Sequence, residues 1–299
     1  MDLDFGIALA GLIVGFVVGL TGMGGGALMT PILVIGFGVE PLAAVSSDLV
    51  AAVVMKPIGG GIHFRRGTVH TGIVWWLMFG SVPGALLGSY LVGNLGDDVS
   101  GAIRVILGVA LLVAAVAMVV RTYITRHRIG RLEGLEAQRV PVRRVPTLIV
   151  GLVGGIVVGM TSVGSGSLMI VALMLLYPML SSRELVGTDL VQAIPLVIAA
   201  AIGHLLWGDF ELDLTASLLI GSIPGVIIGA HVSSRAPDAY IRPALALVLL
   251  LSGLKLLDVP NEVLGAILVA ALAAVVVWFV RQRRGRRRPE PLVDGRSPG

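Results

Sequence analysis

The 299 residues are 56% hydrophobic and 13% charged, with a mean hydropathy of +0.96, far from the roughly 25% charged residues of an ordinary soluble domain, which excludes a water-soluble globular protein. The chain has no cysteine, so disulfides, thiol catalysis and thiolate metal sites are excluded as well. The net charge of +4 is gathered mostly in residues 121–144 and 281–288, beside apolar segments, and so reports membrane orientation; no nucleic-acid partner is expected.

In chain order, the start MDLDFG has no basic region and is not expected to be a cleaved signal peptide. Residues 5–38 are too long for one simple helix and are interrupted at 21–26 by TGMGGG, with Pro31 just beyond, which predicts two short half-helices in a hairpin. Residues 41–62, 71–92 and 99–120 are three predicted crossings, and 121–144 is a polar linker. The plan then repeats, with a broken segment at 146–178 and crossings at 183–206, 212–233 and 239–257. One unduplicated helix, 262–280, follows, and the Arg-, Pro- and Gly-rich remainder, 281–299, is expected to be disordered. The domains predicted are a first transmembrane repeat (1–122), a basic cytoplasmic linker (123–145), a second, inverted repeat (146–257), an extra C-terminal helix (258–281) and a basic tail (282–299). The predicted fold is thus an all-α polytopic membrane protein of two inverted repeats, each a broken re-entrant hairpin plus three transmembrane helices, with one extra C-terminal helix.

The duplication is explicit in the residues. GFVVGLTGMGGGALMT at 15–30 returns as GIVVGMTSVGSGSLMI at 155–170, with Gly25 replaced by Ser165. Ser47-Asp-Leu-Val50 matches Thr188-Asp-Leu-Val191, His63 meets His204, and GSVPGALLG at 80–88 matches GSIPGVIIG at 221–229. Paired breaks in corresponding apolar segments are a sequence pointer to a transporter's binding site. Counting Lys and Arg in the short loops places the linker and tail in the cytoplasm and the acidic N-terminus outside, provided each broken segment returns to its own side. Three full crossings per copy is an odd number, so the copies must then have opposite orientations.

The breaks supply the first candidate site. A half-helix beginning at about Gly26 or Gly166 aims N–H groups and a positive dipole end at an anion, with the hydroxyls of Thr21, Thr161, Ser162, Ser165 and Ser167 as neutral donors. The candidate substrate-binding residues are Thr21, Gly24, Gly25, Gly26, Lys56, Thr161, Gly164, Ser165, Gly166 and Gln192; close packing of helices through small residues is the plainer reading of the same glycines. Lys56 lies in mid-crossing and its repeat mate is Val197, so it is a costly, unmatched charge that could attract an anion or carry a proton, or else pair with Asp48. Asp48 and Asp189 lie about two turns into their helices and are candidates for proton coupling, against a structural role beside helix ends and hydroxyls. Gln192 could contact substrate or bond between helices. His63 and His204 fall at opposite faces and are expected to be interfacial caps, Arg104 and Arg242 to snorkel, and the four tryptophans to form an aromatic belt. No metal or cofactor is expected. Gly22-Met-Gly-Gly-Gly-Ala27 fits a dinucleotide fingerprint only by letter, since no strand–helix unit surrounds it.

Taken together, the duplicated glycine segment, the Ser-Asp-Leu and Thr-Asp-Leu pair and the Gly-Ser-x-Pro-Gly pair resemble the TauE/SafE sulfite-exporter family over residues 11–257. The resemblance implies a plasma-membrane carrier, often an exporter, of small sulfur-containing anions such as sulfite, sulfoacetate or other organosulfonates. Carried over by position are Gly24, Gly26, Gly164 and Gly166, with Asp48 and Asp189. The expected partners are such an anion and a lipid bilayer with anionic lipid at the basic tail, with an oligomer left open. A passive anion channel, a permease for another small solute and, in another class, a membrane-embedded enzyme are the alternatives; no nucleophile–base pair speaks for the last.

Overall fold

The computed structural model describes residues 4–21, 25–94, 99–128, 140–232, 238–271 and 273, and among these there is no strand. The protein is an all-α polytopic membrane protein. Its helices are α1 (Phe5–Thr21), α2 (Gly26–Pro31, continued by a π-helical turn Ile32–Gly36), α3 (Pro41–Arg65), α4 (Thr71–Gly93), α5 (Val99–Arg128), α6 (Arg144–Thr161), α7 (Leu168–Leu176), α8 (Ser182–Trp207), α9 (Leu212–Val232) and α10 (Asp238–Leu256). These lie in one compact unit, Met1–Asp258; a second unit, Val259–Gly299, contributes the apolar helix α11 (Asn261–Ala271). The expected tail, most of the linker and the end of the predicted last helix fall outside the described residues.

Local chemistry sets several helix starts. The Asp4 carboxylate accepts from the N–H groups of Gly6 (2.7 Å) and Ile7 (3.1 Å), two of the donors that the first turn of α1 leaves orphaned. His70 Nδ1 does the same for Ile73 at the start of α4 (3.2 Å), and Ser181 and Glu184 form a reciprocal capping box at α8. Among the described residues six helices are long and apolar enough to cross a membrane: those containing Pro41–Ile58, Thr71–Gly93, Ser100–Ile124, Arg144–Thr161, Arg183–Trp207 and Leu212–Val232. α10 contributes a shorter apolar stretch, Pro243–Leu256, among the described residues.

Two departures from the expected elements have physical causes. The hairpins are lopsided, not pairs of short half-helices: α1 has 17 residues and α6 has 18, whereas α2 has 6 and α7 has 9. The long limbs persist because each lies against a crossing of the other copy through glycines that let the backbones touch. Gly15 abuts Ser222 and Gly19 abuts Val226, while Gly221 and Gly225 abut Ala8 and Leu12; on the other side Gly155 abuts Ser81 and Gly159 abuts Ala85. The residue numbers rise together in both pairs, so α1 runs parallel to α9, and α6 parallel to α4. The second departure is α5, which continues to Arg128, well into the predicted linker.

Each broken segment folds back on its own start. The Phe37 ring lies 3.1 Å from where a Cβ on Gly6 would stand, and the Tyr177 hydroxyl accepts from the Arg143 N–H (3.0 Å) and bonds Thr147. At the centre, α3 packs on its repeat counterpart α8: Ser46 meets His204, Gly60 meets Leu190 and Gly187 meets Thr68, so the two run antiparallel.

Candidate functional site

The second break is built by unspent backbone groups. α6 ends at Thr161, whose hydroxyl accepts from the Val163 N–H (3.1 Å), and Ser162 turns the chain with a left-handed φ of 57°. With Val163 diverted, the Gly159 carbonyl is left without its helical donor and accepts instead from His204 Nε2 (2.7 Å). Gly164 and Gly166 follow at φ +125° and +96°, conformations that a side chain would strain. α7 then starts at Leu168, later than the expected Gly166, and the N–H groups of Leu168 (3.1 Å) and Met169 (3.2 Å) are already bonded to the Gly164 carbonyl. At the first break the N–H groups of Leu28 and Met29 are bonded to the Gly25 carbonyl, both at 2.9 Å. Those four amides are therefore not donors for an anion, contrary to the expectation that the first-turn N–H groups point to a ligand.

Four buried ionisable side chains converge on this turn. Asp48 Oδ2 accepts from the Ser162 hydroxyl (2.6 Å) and more distantly from Thr30 (3.3 Å). Lys56 Nζ donates to the Ser165 hydroxyl. Arg121 Nη1 donates to the Gly166 carbonyl (3.3 Å), and the Gly166 N–H donates to the Asp189 carboxylate. Lys56 interacts electrostatically with Asp189 and Asp48, and Arg121 with Asp189. Exposure decides how strongly these charges act: Asp48 is 0% exposed, Asp189 1%, Arg121 3% and Lys56 8%, so solvent screens them little.

Most of the candidate residues meet here. Gly26 stands so close to Ser162 that any side chain on it would collide with the Ser162 carbonyl and hydroxyl, and Gly25 lies beside Asp48 Oδ1. The two breaks therefore touch. A small cleft lined by Val18, Thr21, Ala27, Leu28, Met118, Ser165, Ser167, Leu245 and Leu249 adjoins both. Thr21 and Thr161 spend their hydroxyl hydrogens identically, on the carbonyls four residues back, Val17 (2.8 Å) and Val157 (2.7 Å). Gln192 bonds between helices, accepting from Ser81 of α4 (3.1 Å) and reaching Asp189 at 3.5 Å. Gly24 lies outside the described residues, as does the His63 side chain.

His204 is not an interfacial cap. It is 1% exposed and joins α8 to the end of α6 through Gly159 and to α3 through Ser46 (Nδ1 to Oγ, 2.8 Å). Arg121 was missed altogether, as the supposed first residue of a linker. A signal was present: Leu107, Leu111, Ala114, Met118 and Arg121 follow a spacing of four and three, so the arginine continues the buried stripe of α5. Among the described residues no group of three or more His, Asp or Glu side chains is arranged to hold a metal.

The sequence profile of the family described as "Sulfite exporter TauE/SafE" matches residues 7–256. The chain is 39% identical over 256 residues to "Probable membrane transporter protein YjnA" of Bacillus subtilis (strain 168), a match covering 84% of this chain and 98% of the relative. It is 24% identical over 255 residues to "Probable membrane transporter protein YdhB" of the same organism, covering 84% and 99%. No solved structure gives a significant match.

Proposed function

The chain belongs to the TauE/SafE sulfite exporter family, and on that premise we propose that it is a secondary transporter that exports small sulfur-containing anions such as sulfite or organosulfonates. Family and relatives point to a membrane transporter, not an enzyme. The observation that carries the reading is the convergence of Lys56, Arg121, Asp48 and Asp189 on the turn 162–166, where it touches the first break. Lys56 and Arg121 are buried cations that an anion could face once a neighbouring carboxylate takes up a proton. In this reading the substrate lies among Thr21, Gly24, Gly25, Gly26, Lys56, Thr161, Gly164, Ser165, Gly166 and Gln192, and a carboxylate, Asp48 or Asp189, couples its movement to protons. Alternating access would rock two inverted copies about this site, a reading supported by the antiparallel packing of α3 on α8 and by hairpins that fold back on their own starts. The proposed setting is the cell (inner) membrane, with linker and C-terminus cytoplasmic, N-terminus outside, and the tail 282–299 against anionic lipid.

The test is a calorimetric or thermal-shift screen of purified protein with sulfite, sulfoacetate, taurine, sulfate, chloride and small metal cations. Specific stabilisation by sulfite or a sulfonate is expected, and Gly26→Leu and Gly166→Leu, whose side chains the breaks cannot take without moving, should lose it. Lys56→Met should weaken it by roughly tenfold, about 1.4 kcal/mol. Stabilisation by a cation alone, or undiminished anion binding in both leucine variants, would overturn the site.

A further inference from the structure

Asp48 and Asp189 are repeat mates, yet their surroundings differ in kind. Around Asp189 stand the Gly166 N–H and the Gln192 amide nitrogen, which offer it hydrogens, with the Lys56 and Arg121 cations acting at longer range; Lys56 acts on Asp48 as well. A backbone N–H cannot accept a hydrogen bond from a protonated carboxyl, and the Gln192 amide oxygen is already taken by Ser81. The hydrogen-bond donors to Asp48 Oδ2 are two hydroxyls, Ser162 and Thr30. A hydroxyl can turn from donor to acceptor when the carboxyl gains a proton, so this surrounding serves both states. Asp48 Oδ1, fully buried beside Gly25, has no hydrogen-bond partner among the described residues.

The charges in this cluster also cancel. Lys56 and Arg121 are balanced by Asp48 and Asp189, and all four are buried. Other ionisable groups on the elements around Asp48 are few: His63 and Arg65 at the end of its own helix α3; His204 on α8, tied by both ring nitrogens to Gly159 and Ser46; Arg183 and Glu184 at the start of α8; Arg104 and the last turn of α5; Asp213 and His231 at the two ends of α9; and Arg144 at the far end of α6. α1, α2, α4 and α7 carry no Asp, Glu, Lys, Arg or His. A monovalent anion entering this balanced set would leave one negative charge uncompensated in a poorly screened interior, a state that proteins avoid by taking up a proton or a partner.

Resting on the anion-transport reading, we infer that the protein moves a monovalent anion together with one proton, electroneutrally, and that Asp48, not Asp189, carries that proton. An O–H bond forms at the Asp48 carboxylate as the anion binds, and the proton leaves with the anion on release. The direction of net flux then follows the product of the two gradients.

The experiment uses the full chain in proteoliposomes with methanesulfonate, a permanent monoanion that does not titrate as sulfite does. In the wild type a pH gradient should drive uphill uptake, a potassium–valinomycin potential should not, and an internal pH dye should report one proton per methanesulfonate. Asp48→Asn should carry a reduced but measurable methanesulfonate counterflow that no longer responds to the pH gradient and now responds to membrane potential, because its cluster carries a fixed positive charge. Asp48→Glu should retain coupling, which separates loss of the proton site from loss of fold. Asp189→Asn should reduce counterflow while leaving the one-to-one ratio in the flux that remains. Wild-type flux that follows membrane potential, or coupling lost in Asp189→Asn or His204→Gln but kept in Asp48→Asn, overturns the inference. Absence of counterflow for methanesulfonate and sulfite alike fails the anion-transport reading itself and takes this inference with it.

Discussion

At the scale of single residues, the informative positions are those where the two copies disagree. Ser165 replaces Gly25, and Lys56 replaces what is Val197 in the other copy. These two departures find each other, the ammonium of Lys56 donating to the Ser165 hydroxyl. At the symmetry-related place Gly25 faces the Met55 methyl group at 3.4 Å from an ideal Cβ. The ammonium therefore meets the second break at the position where the first has only Gly25. The same asymmetry predicts the effect of Ser162→Ala. It removes the shorter of two hydrogen bonds to a fully buried carboxylate, and Thr30 at 3.3 Å is a poor replacement. The variant should lose about 1–3 kcal/mol of stability, read as a lower melting temperature in detergent. An unchanged melting temperature would mean that Asp48 does not depend on this donor.

At the scale of elements, glycine decides which helices can touch. Gly151, Gly155 and Gly159 follow a spacing of four along α6, and each would drive a Cβ into the backbone of α4, at Leu77, Ser81 and Ala85. The counterparts on α1 do the same against α9. Gly155→Leu should therefore force the α4–α6 pair apart, costing about 3 kcal/mol or more of stability and disturbing the Gly159–His204 bond at the neighbouring break. Gly61→Ala is the opposite case, because an added Cβ there meets nothing within 4 Å; it should be neutral or stabilise α3 by up to about 1 kcal/mol. Denaturation of both variants in the same detergent checks the contrast, and equal losses would refute the packing argument. The sequence reader sees the glycines in either case. What it cannot see is that the same residue type serves a helix contact at Gly155, a positive φ at Gly166 and open space at Gly61.

At the scale of the whole molecule, the arrangement makes a topological prediction. If both hairpins return to their own sides, the N-terminus lies outside and residues 121–144 inside. Because the chain has no thiol, single cysteines report without background. Asp2→Cys should react with an impermeant maleimide in intact cells, and labelling only after permeabilisation would contradict the orientation. The sequence alone determined the membrane class, the duplication, the order of the helices and the two breaks, because hydropathy and repetition are local properties that survive being read one residue at a time. It also singled out Asp48, Asp189, Lys56 and the glycines, since charge and glycine are conspicuous in an apolar run. Only the tertiary structure decided that α5 carries Arg121 into the site, that His204 is an interior bridge, that the hairpins are lopsided and that one break gathers all four charges. Those outcomes depend on which backbone groups are left without partners where helices from distant parts of the chain meet, and that is settled by packing, not by neighbours in sequence.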